Sequence, residues 1–336
     1  MSTTTAVAIG HAASGEHRRR ALRRMAQACL GLVILIIVLS AFMRHHGAGI
    51  GCADWPACYG QDTSVAPDAS AGDGVALARL AHRATASLAL VLILAMVLAC
   101  LAARPVLRSE GVLAVLLLLF AVGLAALGVV SAGARMPAVI LGNLLGGFAM
   151  LALCARLVAV AGRPPGWRPD AMIGRVAAVV LLLLIAQLAL GALVSASHSA
   201  LACASLGECF ELAGRGGWQF AAFDPLRIPV PGGADGMASG GMTPGGMVSD
   251  GIDNVDGATL QFVHRIGAIL ATGAVLALGV LAWRRGRRKS ALAMAGLLAG
   301  VLALGMHIGG GALSMPAVLM HNLGAAGLLA VVLRLP

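Results

Sequence analysis

The sequence predicts an all-α integral membrane protein, with eight transmembrane helices arranged as two duplicated four-helix bundles. Three observations predict it. The 336 residues are 59% hydrophobic and only 11% charged, with a mean hydropathy of +0.91; soluble domains carry far more charge. Eight runs approach the ~20 mostly apolar residues that a helix needs to cross the hydrocarbon core. One stretch also occurs twice: Met136-Pro-Ala-Val-Ile-Leu-Gly-Asn-Leu144 and Met315-Pro-Ala-Val-Leu-Met-His-Asn-Leu323 agree at Met, Pro, Ala, Val, Asn and Leu.

In chain order the eight runs are Gln27–Met43, Val75–Ala103, Gly111–Ala132, Pro137–Ala161, Ala171–Ser195, Thr259–Trp283, Ala291–Leu313 and Pro316–Leu335. The basic residues cluster beside every second gap. Arg18, Arg19, Arg20, Arg23 and Arg24 precede the first run, and Arg104 and Arg108 follow the second. Arg156 lies near the end of the fourth and Arg163 and Arg168 follow it, Arg284, Arg285, Arg287, Arg288 and Lys289 follow the sixth, and Arg334 ends the last. Alternating helices put all of these on one side; the opposite loops carry only Arg44, Arg135, Arg215 and Arg227. This is the positive-inside pattern, and it predicts both termini on the cytoplasmic side, as in a bacterial inner membrane. The net charge of +10 therefore serves orientation and membrane lipid, and no nucleic-acid partner is implied.

Residues 1–26 form a basic cytoplasmic tail, expected to be disordered. The first run lacks a small-residue cleavage site and is expected to stay as a signal-anchor. Residues 27–161 make the first four-helix half. Residues 162–170, with two prolines, link it to the second half at 171–336. The halves open alike. A span is followed by an outer loop with Cys-x5-Cys, Cys52–Cys58 in the first and Cys203–Cys209 in the second. Each next span then begins with His-Arg, as His82-Arg83 and His264-Arg265. With an even number of spans per half, the repeat is parallel. The second outer loop, 210–258, is Gly-rich and spaces Met237, Met242 and Met247 five apart. Thioethers at such spacing suit copper(I); a flexible low-complexity linker is the plainer explanation.

Histidine inside a membrane span is costly and marks a partnered or functional site. Counted from the starts of their apolar runs, His264 and His321 sit at matching depths, roughly 7–9 Å in at ~1.5 Å per residue. Equal depth on two parallel helices suits a shared ligand, and two imidazoles across a planar macrocycle would give a six-coordinate haem iron. Arg265 is placed for a propionate. The alternative is two unrelated histidines bonded to neighbouring carbonyls. His82 and Arg83 are the first-half equivalents, but the fourth span carries Gly142 where the eighth has His321. His307, midway along the seventh run, is a possible substitute and more simply a packing histidine. Cys29, Cys100 and Cys154 lie in spans as small apolar fillers. The outer cysteines could be structural staples or redox groups.

The run Gly47-Ala-Gly-Ile-Gly-Cys52-Ala-Asp-Trp-Pro-Ala-Cys58-Tyr-Gly60 resembles the first outer loop of the haem A synthase family of cytochrome oxidase assembly proteins. The His-Arg openings, the Pro…His of the last span and the four-plus-four duplication fit the same family. The resemblance implies an oxidoreductase that converts the methyl group of haem O to the formyl group of haem A. It implies a haem b cofactor between His264 and His321, and substrate haem at His82, the candidate catalytic residue. It assigns Cys52 and Cys58 as the outer cysteine pair, and it implies a haem O-producing enzyme and oxidase assembly proteins as partners, with homo-oligomers possible. The sequence departs from the family pattern twice in the substrate half, with Gly142 in place of a histidine and Arg79 in place of a glutamate three residues before His82. A guanidinium neither accepts a proton nor stabilises a developing cation. These departures leave two competing expectations, a non-catalytic haem carrier or assembly factor, and, more remotely, a quinone-linked thiol oxidoreductase working through the four outer cysteines.

Overall fold

The computed structural model describes residues 3–45, 73–102, 104, 106–130, 137–164, 166–197, 199–226 and 254–335. The described residues form nine α-helices and no strand: α1 Thr3–His45, α2 Asp73–Leu101, α3 Arg108–Val130, α4 Pro137–Ala161, α5 Ala171–Ala196, α6 Leu206–Arg215, α7 Asn254–Arg284, α8 Arg288–Gly309 and α9 Met315–Arg334. Eight of these, all but α6, are long and apolar enough to cross a membrane. Cys52, Cys58, Met237, Met242 and Met247 lie outside the described residues.

Helix starts follow local chemistry. Asp170 caps α5 by accepting from Met172 N (2.9 Å) and Ile173 N (3.1 Å), a carboxylate satisfying donors that the first turn leaves open. Ser205 caps α6 through Glu208 N at 3.1 Å, while the Glu208 carboxylate accepts from Ala204 N at 2.8 Å. Ser314 caps α9, with Pro316 in the first turn, where a missing N–H costs nothing.

The helices pack in two rings of matching order. α1 lies against α2 and α4, and α3 against α2 and α4; α5 lies against α7 and α9, and α8 against α7 and α9. α4 joins the rings by packing on α9 and α5, and α1 also touches α9. α4 is the central helix: 67% of its most apolar window is buried, against at most 33% in any other span. The distribution of side-chain size explains the packing. Small residues such as Ala26, Cys29, Ala114, Ala177, Ala271, Ala282 and Ala326 are buried, whereas Leu77, Val91, Leu119, Leu182, Ile269 and Leu270 face outward. Lipid chains solvate leucine as well as protein does, so close backbone approach decides the interfaces. At Gly146 a Cβ would stand 2.5 Å from Leu124 Cδ2, so α3 and α4 meet only because that position has no side chain.

The basic end of the bundle is tied by ion pairs and carbonyl contacts. Arg19 Nε lies 3.0 Å from Glu110 Oε1, joining α1 to the start of α3, with the carboxylate almost fully buried. Arg285 Nη1 pairs with Asp170 Oδ2 at 2.6 Å, and Arg287 donates to the carbonyl of Leu335. Cys29 and Cys154 face each other across α1 and α4 with sulfurs 3.6 Å apart, both buried thiols.

Three expectations are corrected. The basic tail is helical from Thr3, and Leu22 and Ala26 within its last turns are buried; its arginines line a helix rather than a disordered segment. α7 begins at Asn254, before the apolar run starts, because α6 packs on its first turns and makes a protein neighbour for them. α8 stops at Gly309, where Gly310 caps it and Gly311 adopts φ +99°, a conformation suited to glycine. His307 therefore lies in the last turn of α8 rather than midway along a span.

Candidate functional site

Four helices of the second ring converge on His264 and His321. α9 carries His321, whose Nδ1 lies 3.0 Å from the main-chain carbonyl of Val301 on α8. A carbonyl only accepts, so this contact places the proton on Nδ1 and leaves the Nε2 lone pair for a ligand. α7 carries His264. Its Nδ1 and its own carbonyl oxygen both lie 3.0 Å from the amide nitrogen of Gln187 on α5.

Both rings rest against glycine. A Cβ at Gly191 would stand 3.0 Å from His264 Cε1, and one at Gly305 would stand 3.2 Å from His321 Cε1. Side chains at either position would fill the space that seats the rings. The depth argument from sequence needs revision, since His264 is ten residues into α7 and His321 six residues into α9. α7 thus starts four residues further ahead of its histidine than α9 does.

That end forms a small cap. Cys203 and Cys209 are disulfide-bonded with Cα atoms 5.2 Å apart. Both are buried with Ala213 and Ala258, next to the ring cluster of Phe210, Trp218 and Phe262. Such burial fits a staple better than a thiol-exchange centre, which needs access. Arg265 reaches into the cap: its Nη2 donates to Cys203 O at 2.9 Å and rests over Gly309, where a Cβ would come within 3.2 Å. Gln261, one turn before His264, donates to Ala200 O at 2.7 Å.

The first ring is built differently. His82 on α2 is half-buried, with Arg79 and Arg83 exposed beside it. At Gly142 on α4 a Cβ would meet Leu127 Cδ2 at 2.9 Å, so a leucine of α3 stands where a second imidazole would begin. His307 is exposed. Among the described residues no group of three or more His, Cys, Asp or Glu is arranged to hold a metal ion.

The family model of cytochrome oxidase assembly proteins (COX15-CtaA) matches residues 23–333, nearly the whole chain. The chain belongs to this family. It is also similar to the heme A synthase of Shewanella oneidensis, 30% identical over 331 residues that cover 89% of this chain and 91% of the relative. With its eight apolar helices, this family member is an integral, multi-pass membrane protein.

Sequence reasoning missed Gln187, the Val301 carbonyl and the three glycines Gly191, Gly305 and Gly309. Only Gln187 announced itself: from Val176 to Val194 it is the one polar side chain, and an isolated amide in a span implies a polar neighbour.

Proposed function

We propose that the chain is a haem A synthase, a membrane oxidoreductase that converts the methyl group of haem O to the formyl group of haem A for cytochrome oxidase assembly. The family, and the similarity to a heme A synthase over nine-tenths of its length, support this reading. The observation that carries the cofactor assignment is the His321 contact. Donation from Nδ1 to the Val301 carbonyl directs Nε2 away as a lone-pair donor, the arrangement by which metal-ligating histidines are fixed. Together with His264 and the glycine floor of Gly191 and Gly305, it fits a haem b held between two imidazoles. Arg265 lies one residue from His264 and offers its guanidinium to a propionate. When bound there, haem b supplies one-electron redox chemistry.

The residues divide the work. The oxidation needs electrons to leave the substrate and an oxygen atom to enter. His264 and His321 orient the cofactor, and the apolar walls of α7, α8 and α9 keep water from it. His82 binds the substrate haem from α2. With glycine at position 142, the first half offers His82 as its one imidazole for that haem. Arg79 and Arg83, exposed at the same level, suit propionates rather than proton transfer. The matching order of the two helix rings supports a duplicated architecture of four plus four helices. In the proposed orientation, in a bacterial inner membrane, the Arg284–Lys289 end faces the cytoplasm. The disulfide cap then faces the periplasm, where such bonds persist. Cys52 and Cys58 serve as the second outer pair, and a haem O-producing enzyme supplies the substrate.

The test uses cells that make haem O but lack their own synthase. Expression of this chain should yield haem A in extracted membranes. Haem O alone, with the protein present at normal level, would overturn the enzyme reading in favour of a haem carrier, the role that Gly142 and Arg79 would suit.

A further inference from the structure

Gln187 contacts His264, a proposed haem ligand, and has no role so far. Its setting is specific. The amide nitrogen stands 3.0 Å from both Nδ1 and the main-chain oxygen of His264. Its Oε1 is buried and has no hydrogen-bond partner. Gly267, one turn beyond His264 on α7, admits the amide: a Cβ there would stand 2.3 Å from Oε1. Gly191, one turn beyond Gln187 on α5, admits the ring in return, with its own Cβ position 3.0 Å from His264 Cε1. Two helices have thus given up side chains at the positions where this amide and this imidazole meet.

The chemistry of the pair depends on where the imidazole proton sits. With the amide nitrogen donating to Nδ1, the neutral ring carries its proton on Nε2 and has no lone pair for a metal. With Nε2 acting as a ligand, the proton is on Nδ1 and needs an acceptor. The unpartnered Oε1 is that acceptor, on the same amide. A tilt of the amide that keeps its nitrogen on the His264 carbonyl would turn the oxygen toward Nδ1. Leaving a buried amide oxygen without a partner is costly, so the ligand-competent tautomer is the one that satisfies every polar atom of the pair.

Resting on the haem b reading above, we propose that Gln187 is a positioning residue for His264: its Oε1 accepts from Nδ1–H when Nε2 binds iron, fixing the tautomer and raising the donor strength of this ligand. His321 receives the same service from a main-chain carbonyl, which a substitution cannot alter; His264 receives it from a side chain, which makes this half of the ligand pair tunable. The first half has no counterpart. Gln187 lies sixteen residues before Cys203, and the residue sixteen before Cys52 is Ile36.

The experiment uses full-length protein purified with its haem. Wild type, Q187E, Q187N and Q187L are compared by potentiometric titration and by the low-spin ferric EPR spectrum. A carboxylate accepts the Nδ1 proton more strongly and leucine not at all, so Q187E should shift the midpoint to lower potential and Q187L to higher. Q187N should fall between wild type and Q187L. The EPR g-values should move in opposite directions for Q187E and Q187L. A structural role alone would lower stability in all three without this opposition. If Q187L fails to retain haem, Q187E and Q187N carry the comparison. Wild-type potential and g-values in variants that hold haem b would overturn the proposal and leave the site itself standing. Wild-type protein without haem b would overturn both.

Discussion

Gly191→Ala isolates the packing of the proposed site in one methyl group. The new Cβ would stand 3.0 Å from His264 Cε1, whereas carbon atoms pack at about 3.5–4.0 Å. The ring or α5 must therefore yield by about 0.5–1 Å. Overpacking of this kind costs ~1–3 kcal/mol. Alanine in place of glycine in a helix interior returns about 1 kcal/mol, so the net effect on stability is small, between about 0 and 2 kcal/mol. The strain falls on the imidazole, which Gln187, one turn earlier on the same helix, contacts at Nδ1. A displacement worth about 1.4 kcal/mol at the ligand lowers haem affinity about tenfold. The assay is the haem-to-protein ratio by pyridine haemochrome, beside the thermal midpoint. Gly273→Ala on α7, the helix that carries His264, is the control: its Cβ meets nothing within 4 Å, so it should raise the midpoint slightly and leave haem unchanged. Wild-type haem occupancy and spectrum in Gly191→Ala would refute the claim that this glycine seats a ligand.

Other perturbations separate the remaining parts. Gly142→His combined with Leu127→Ala removes the 2.9 Å obstruction and should convert haem bound at His82 to a six-coordinate low-spin form, visible in the optical spectrum; an unchanged spectrum would remove His82 from the substrate site. Cys203→Ser should cost ~2–4 kcal/mol by releasing a short buried loop, read as a lower thermal midpoint, and should disturb Arg265, which donates to the Cys203 carbonyl. The N–H of Ile173 above all, with Arg285 and the N–H of Met172, holds the Asp170 carboxyl below the usual carboxylate range. Its contribution to stability is full above the unfolded-state pKa and fades as pH falls through the lower folded value. Asp170→Asn should therefore narrow the difference in thermal midpoint between neutral and acid pH, and an undiminished difference would count against the cap.

The legible parts of the fold were those written in local chemistry. Pro137 and Asp170 place the starts of α4 and α5 where the sequence puts them, and the repeated Met-Pro-Ala-Val words point to α4 and α9 as equivalent helices. Hydropathy alone misjudged α7 and α8. It started α7 at Thr259 because Asn254–Ala258 is partly polar, yet those turns are covered by α6 rather than lipid. It carried α8 to Leu313 because Gly309, Gly310 and Gly311 do not interrupt an apolar average, although they end the helix. His264 and His321 stood out in the sequence because histidine is rare in apolar spans. The contact that orients His321 was not, since the Val301 carbonyl has no signature in sequence. The obstruction at Gly142 was half legible: the missing histidine shows in the repeat, but Leu127 filling its place depends on the packing of α3 against α4.

The most direct test of the account is acid-acetone extraction of protein purified from haem-replete cells, with chromatographic identification of the haems. Wild type should yield haem b together with haem O or haem A. His264→Ala and His321→Ala should each lose the haem b, and His82→Ala should keep it while losing the substrate haem. Undiminished haem b in both His264→Ala and His321→Ala would contradict the central claim that these two imidazoles hold the cofactor.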